Sequence, residues 1–418
     1  LTSDSEVTLG EIVRLTGGVI QTGPFGSQLH ASDYQSMGTP VVMPTNLGDN
    51  VIREAGIARI GDHDVRRLAR HKLREGDVIF SRRGDVGRRS IVRAENSGWL
   101  CGTGCLAVKF GPNRADVNPK YVSLLIGTPR VQTWLFDNAV GGTMLNLNTS
   151  ILSALPLSLP HRNEQDAAVK ALEGAFAQES ALERLIAKKR DIKQGLMQEL
   201  LTGRTRLPGF TSDWTTLKVA SVSHLKARIG WQGLTTEEYR ASGTHRLVGG
   251  TDFADGRINW NTTPYVDKWR YDQDPNIQLR AGDVLITKDG TIGKIALIDR
   301  LPGPTTLNSG VFVLRPKQGA YDSALLFCML RSRAFDEFVA GLSAGSTINH
   351  LYQKDLVTLE FRVPVRIEEQ AAIAAVILDV DAELAALDRR LVSARNIKQG
   401  MMQELLSGRT RLVPEVAA

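Results

Sequence analysis

Residues 192–207 read IKQGLMQELLTGRTRL, and residues 397–412 read IKQGMMQELLSGRTRL. The two stretches differ only at Leu196/Met401 and Thr202/Ser407, and they lie 205 residues apart. A chain of 418 residues that repeats at about half its length is built from two like halves. Weaker echoes keep the period. GDVIFSRRGDVGRRSIV at 76–92 answers to GDVLITKDGTIGKIALI at 282–298, and GTMLNL at 142–147 to STINHL at 346–351. Pro160 and Pro364 each close an alternating apolar segment. Glu164-Gln165 and Glu369-Gln370 then each open an alanine-rich stretch. The order divides the chain into a globular domain (1–160), a central helical region (161–207), a second globular domain (208–365), a C-terminal helical region (366–414) and a tail (415–418).

The helical regions are rich in Ala, Leu, Glu, Lys, Gln and Arg, all strong helix formers, and have no proline over 164–201 or 367–406. In the second, Val380, Leu387, Ala394 and Met401 recur every seven residues beside Ile377, Leu384, Leu391 and Lys398. Two such rows form a coiled-coil seam. The first has Ala175, Leu182, Lys189 and Leu196 beside Leu172, Glu179, Ile186 and Lys193, a more polar seam of the kind that fixes register and partner. The candidate coiled-coil and subunit-docking positions are therefore Leu172, Leu182, Ile186, Leu196, Ile377, Leu384, Leu387, Leu391 and Met401. Both helices run into Gly then Arg, a glycine C-cap with cations at the negative end of the dipole. Forty residues at ~1.5 Å rise make a rod of roughly 60 Å. Two rods separated by a globular domain are expected to pair antiparallel.

Composition sets the class. Charged residues make up 23% and hydrophobic ones 42%, and the net charge is +6, a basic surplus that suits a polyanion. Cys101, Cys105 and Cys328 are too few and odd in number for a disulfide scaffold, and Cys101 and Cys105 find no second pair at metal-ligand spacing. The start of the chain, LTSDSEV, has no signal-peptide character, and the longest apolar run, 371–378, falls far short of a membrane span. The expectation is a cytoplasmic protein without a metal. The globular parts show short apolar segments at 77–81, 105–110, 283–287 and 311–314, with amphipathic helices at 121–136 and 324–339.

Taken together and in order, these motifs carry a resemblance to the specificity subunits of type I restriction–modification systems. The duplicated helix ends, QTGPFGS at 21–27, the two GDV segments and the two Pro…Glu-Gln junctions all fit, and the resemblance spans essentially the whole chain. It implies two α/β (α+β) target recognition domains, each followed by a long α-helix. The helices pair as an antiparallel coiled coil, with an internal pseudo-twofold repeat. It further implies that the two domains read the halves of a split double-stranded DNA site. The coiled coil would set their spacing and dock two modification subunits carrying S-adenosylmethionine. Restriction subunits would bring ATP and Mg2+. A bacterial or archaeal cytoplasm follows.

Contact residues are expected in loops. Arg82, Arg83, Arg88 and Arg89 flank Gly84 and Gly87, and Lys288 and Lys294 flank Gly290 and Gly293. Glycines let the backbone approach a surface, and basic side chains beside them meet phosphates. Because this loop recurs in both halves, it positions rather than discriminates. Gly23, Pro24, Phe25, Gly26 and Ser27 form a second candidate, answered in the other half by Lys226, Arg228, Trp231 and Gln232, of which Gln suits adenine and Arg suits guanine. Thr103, and Asn308 with Ser309, precede matching strands.

No catalytic set accompanies them. There is no (N/D)PP(Y/F) methyltransferase motif, and Asn118-Pro119-Lys120 does not supply one. Gly290-Thr291-Ile292-Gly293-Lys294 has the wrong spacing for a phosphate-binding GxxxxGK(S/T) loop. The leading reading is a DNA-binding, non-catalytic subunit. The alternatives are a coiled-coil scaffold whose globular ends bind protein, and an enzyme that turns over alone.

Overall fold

The computed structural model describes residues 6–230, 233–342 and 350–412. By internal contact the chain divides into two units, Leu1–Leu182 with Arg390–Ala418, and Glu183–Arg389. Each has the same plan.

In the first unit, the strand Glu6–Thr8 pairs antiparallel with Pro156–Ser158 and leads into the helix Leu9–Leu15, capped by a reciprocal Thr8/Glu11 box. A four-stranded antiparallel sheet follows in the order Val19–Thr22, Cys105–Lys109, Val78–Ser81, Arg89–Ile91. A second sheet runs Tyr34–Gln35, Ala58–Ile60, Thr39–Val42, Leu100–Cys101, the last pair parallel. The run Val78-Ile79-Phe80 is apolar at every position because both faces of its strand are covered. Val78 and Phe80 join Leu106, Val108, Tyr121 and Leu125 in one core, while Ile79 joins Val42, Leu47 and Cys105 in another. The helices Pro119–Ile126, Pro129–Asn138 and Thr149–Ala154 complete the domain.

The second unit repeats this. Trp214–Lys218 pairs with Glu360–Pro364, and the sheet order is Ser223–Ala227, Val311–Pro316, Val284–Thr287, Ile295–Leu297. A smaller sheet holds Tyr265–Val266, His245–Val248 and Thr305–Leu307, again with one parallel pair. The helices Ser323–Met329, Arg333–Leu342 and Gln353–Leu356 follow.

Both long helices form, over Arg162–Leu200 and Ile367–Leu406, and each gives residues to both units. Within each unit their segments pair antiparallel. In the first, Glu164 meets Arg411, while Glu179 takes Arg395 at 2.8 Å and Lys398 at 2.6 Å. In the second, Lys193 meets Asp381 at 2.6 Å and Lys189 meets Glu383 at 2.7 Å. The polar seam positions are thus ion pairs across the helix pair. Of the positions offered for subunit docking, Leu172, Leu182, Ile186, Ile377, Leu384 and Leu387 are buried within the chain, and Leu196, Leu391 and Met401 are half-buried. Leu172 and Ile377 lie in the cores of the globular parts. These buried side chains hold the fold together and are not free to receive another subunit.

The repeated Glu-Gln has a structural task. Gln165 is fully buried; its amide oxygen accepts from Asn118 N, and its amide nitrogen donates to the carbonyls of Asp116 and Pro160. Gln370 does the same for Asp322 N and Pro364 O. Each glutamine ties the first turn of a domain helix to the first turn of a long helix. Gly203 and Gly408, at φ +71° and +75°, end the long helices in the left-handed conformation.

Candidate nucleic-acid interface

The strand Val78–Ser81 delivers the arginine-rich loop, and the main chain at its start is fixed on both sides. Arg82 N donates to Gly104 O at 2.8 Å, and Leu147 N donates to Arg82 O at 2.9 Å. In the second unit, Lys288 N donates to Gly310 O at 2.9 Å, and Leu351 N to Lys288 O at 2.8 Å. The GTMLNL stretch therefore braces the loop, and Leu351 of its counterpart does so too; residues 346–349 lie outside the described residues. Gly84 and Gly290, at φ +75° and +70°, make the turns.

The four arginines of the first loop separate by role. Arg88 is neutralised by Asp85 at 2.8 Å. Arg89, expected at the contact surface, is instead 5% exposed; it donates to Ser123 O and reaches Asp49. Its guanidinium fills the domain core and is withdrawn from the contact set. Arg83 is exposed, and Arg82 is half-buried with its Nε covered and without an acceptor among the described residues. In the second loop, Lys288 Nζ lies 5.6 Å from the centre of the Phe312 ring, and Lys294 is exposed.

Arg82 and Arg83 converge with two other predicted segments. Pro24, Phe25, Gly26, Thr103 and Gly104 join them around a cleft of about 310 Å3. Gly23 is buried beneath it, so close to Gly102 O that a side chain has no room. Ser27 is exposed beside it. The hydroxyl of Tyr34 bonds Thr103, and burial pushes that phenol above its usual range.

The second unit lines its surface differently. Strand register sets Ala227 against Phe312 as it sets Thr22 against Leu106, so Arg228 follows its strand as Gly23 follows its own. Arg228, expected to read a base, is 1% exposed. It donates to Leu307 O, Thr306 Oγ1 and Gln273 Oε1 and is a structural residue. Lys226 is exposed, while Trp231 and Gln232 lie outside the described residues. Asn308 donates to the Tyr239 hydroxyl at 2.7 Å and accepts from Ser309 N. Lys294 opens on a separate cleft of about 510 Å3 with Asp255, Arg331 and Asp336. Tyr34 and Tyr239 escaped the sequence reading, although their separation of 205 residues matches the repeat.

Burial pushes the Cys101 and Cys328 thiols up to about 12. Among the described residues no three potential ligands gather for a metal, and no helix is long and apolar enough to cross a membrane.

The family model described as the type I restriction modification DNA specificity domain matches residues 48–194 and again 212–391. The chain is 20% identical over 391 residues to the provisionally named MjaX specificity subunit of a type I restriction enzyme from Methanocaldococcus jannaschii, covering 90% of this chain and 88% of that one. It is 21% identical over 296 residues to the MjaVIII specificity subunit of the same organism, covering 67% and 68%. In fold it is similar to the S subunit of a type I restriction–modification system from M. genitalium, with a TM-score of 0.63 at 14% identity over 96% of this chain and 95% of that one. With the specificity domain present twice, the chain belongs to the family of type I restriction–modification DNA specificity subunits.

Proposed function

We propose that this chain reads a split, asymmetric double-stranded DNA target with two recognition domains held apart by the paired long helices. It does no chemistry itself. The carrying observation is the equivalence of Arg82 and Lys288. Each is a cation fixed by the same two main-chain hydrogen bonds, yet the first neighbours Phe25 and Thr103 while the second belongs to a domain whose matching positions are Gly230 and Ser309. A like anchor with unlike surroundings suits two domains that grip the same backbone and read different bases.

The helices also dock two copies of one modification subunit, which supplies S-adenosylmethionine; restriction subunits bring ATP and Mg2+. The exposed, duplicated face supports this. Ile192 and Ile397 are 41% and 58% exposed, and Gly195 and Gly400 have no neighbour within 4 Å where a side chain would stand. Mid-helix glycine costs about 1 kcal/mol against alanine, so packing within the chain gives no reason for it. Repeating the surface suits binding the same partner twice.

Co-expression with the cognate modification subunit, followed by genome-wide mapping of N6-methyladenine, tests the reading. Methylation on one motif of two unlike short half-sites with a fixed gap is the expected result. Methylation without such a motif overturns it.

A further inference from the structure

Among the described residues, the cleft between 24–26, 82–83 and 103–104 belongs to the first domain, and its lining is chemically mixed. Phe25 is 54% exposed, although burying a phenylalanine is normally favourable. The turn that presents it is built: Gln28 N donates to Phe25 O at 2.8 Å, and Phe25 N donates to Gln28 Oε1 at 3.2 Å. Opposite it stand two arginines with no carboxylate in ion-pair distance among the described residues, since Asp85 is engaged by Arg88 and Asp49 by Arg89. Arg82 lines the cleft, with its Nε covered and without an acceptor among the described residues. The Thr103 hydroxyl adds one polar group.

An apolar ring, a hydroxyl and a dense positive charge around one cleft match one ligand unit: a base with its phosphate. We propose that this cleft seats a single nucleotide of the target, with Phe25 against the base and Arg82 and Arg83 on the phosphate. Phe25 then discriminates one base pair by apolar contact with a thymine methyl, and the arginines hold it in register. Among its described residues the second domain lines this position differently. At the position of Gly23 it carries Arg228, spent on internal acceptors, and two residues on, at the position of Phe25, it has Gly230. The effect of Phe25 is therefore confined to one half-site.

This inference rests on the DNA-reading function, and the test separates the two. Wild-type chain, Phe25→Ala, Phe25→Leu and Arg83→Ala are each co-expressed with the modification subunit, and N6-methyladenine is mapped genome-wide. A wild type without a split motif sinks the functional reading itself. Given a wild-type motif, Phe25→Ala is expected to relax one position of one half-site, narrowing discrimination there by about 10- to 100-fold. The other half-site stays intact and certifies folding. Arg83→Ala is expected to lower methylation at every site without relaxing any base. An unchanged motif in Phe25→Ala, or relaxation in both half-sites, overturns the proposal. Should Phe25→Ala methylate nothing, Phe25→Leu decides on the same criterion, and loss in both overturns it, because one base contact does not carry all of binding.

Discussion

The guanidinium of Arg89 occupies the space over Gly127 so fully that a methyl group on Gly127 would overlap it. The second domain solves the same packing problem from the other side. There Ile295 stands at the strand position of Arg89, paired to Ile286 as Arg89 is to Phe80. Arg331, nine residues after the helix N-cap Asp322 as Gly127 is after Asn118, supplies the cation, stacked on Phe327 and bonded to Asp381 at 2.8 Å. A guanidinium is kept at this junction in each domain, buried and from a strand in one, half-buried and from a helix end in the other.

Gly127→Ala is therefore expected to destabilise the protein by about 2–3 kcal/mol. Its backbone is ordinary right-handed helix, so the cost is overlap and not strain. Displacing Arg89 breaks its bonds to Ser123 O and Asp49. Urea unfolding of Arg89→Ala, Gly127→Ala and the double variant should show strong non-additivity, since the methyl has room once the arginine is gone. Additive losses would rule out the contact as the cause.

Arg206 and Arg411, the second arginines of the duplicated GRTRL, are expected to differ in importance. Arg206 grips the fully buried Glu369 with two bonds of 2.8 and 2.9 Å, and Ser212 supports the same carboxylate. Arg411 reaches Glu164 at 3.5 Å, with nearly half of its side chain exposed. Removing Arg206 strands a buried charge. Arg206→Ala should cost about 3 kcal/mol and Arg411→Ala about 1, read by calorimetry on the two variants. Equal shifts in Tm would contradict this ranking.

Asp77 and Asp283 precede corresponding strands and differ in their partners. Burial pushes the Asp77 carboxyl up to about 6, against the backbone bond from Arg74 and the fields of Lys109 and Arg114. A carboxyl raised in the folded state leaves folding unopposed below its ordinary value near 3.8 and weakens it as pH rises through 6. Asp77→Asn, whose amide oxygen still accepts from Arg74 N, should match wild type near pH 4 and exceed it by up to ~3 kcal/mol above pH 6. Asp283 instead receives two bonds of 2.7 Å from Arg315, so Asp283→Asn should destabilise at neutral pH. Chemical denaturation of both variants from pH 4 to 8 checks the contrast.

The long helices, their seam and the repeat were legible because each writes a period into the sequence. Glu179, Lys189 and Lys193, read as polar seam positions that fix register and partner, form ion pairs across the helix pair. The cleft was half legible: glycine and arginine mark a close-approach loop, and Phe25, Arg82 and Thr103 do meet. Composition says nothing about which arginine faces out. Arg83 and Arg89 are alike in sequence, but strand alternation turns Arg89 into the core, where only the absent side chain of Gly127, far along the chain, makes room. Arg228 misled for the same reason, since its acceptors Leu307, Thr306 and Gln273 become neighbours only on folding.

Those placements lead to a prediction about salt. A cation that contacts a phosphate releases counterions on binding, so its removal lowers the slope of log affinity against log salt by about 1. Arg83 is exposed at the cleft; Arg228 is buried and bonded inside. Arg83→Ala should therefore weaken binding of the assembled complex uniformly across target sequences and reduce the slope by about 1. Arg228→Gln should lower Tm, because Leu307 O and Thr306 lose a buried donor, and leave the slope unchanged. Fluorescence anisotropy on labelled duplexes over ~50–200 mM salt measures both. No slope change with Arg83→Ala would mean that the DNA meets a different surface of the first domain, and a slope change with Arg228→Gln would mean that this guanidinium of the second domain contributes to DNA contact.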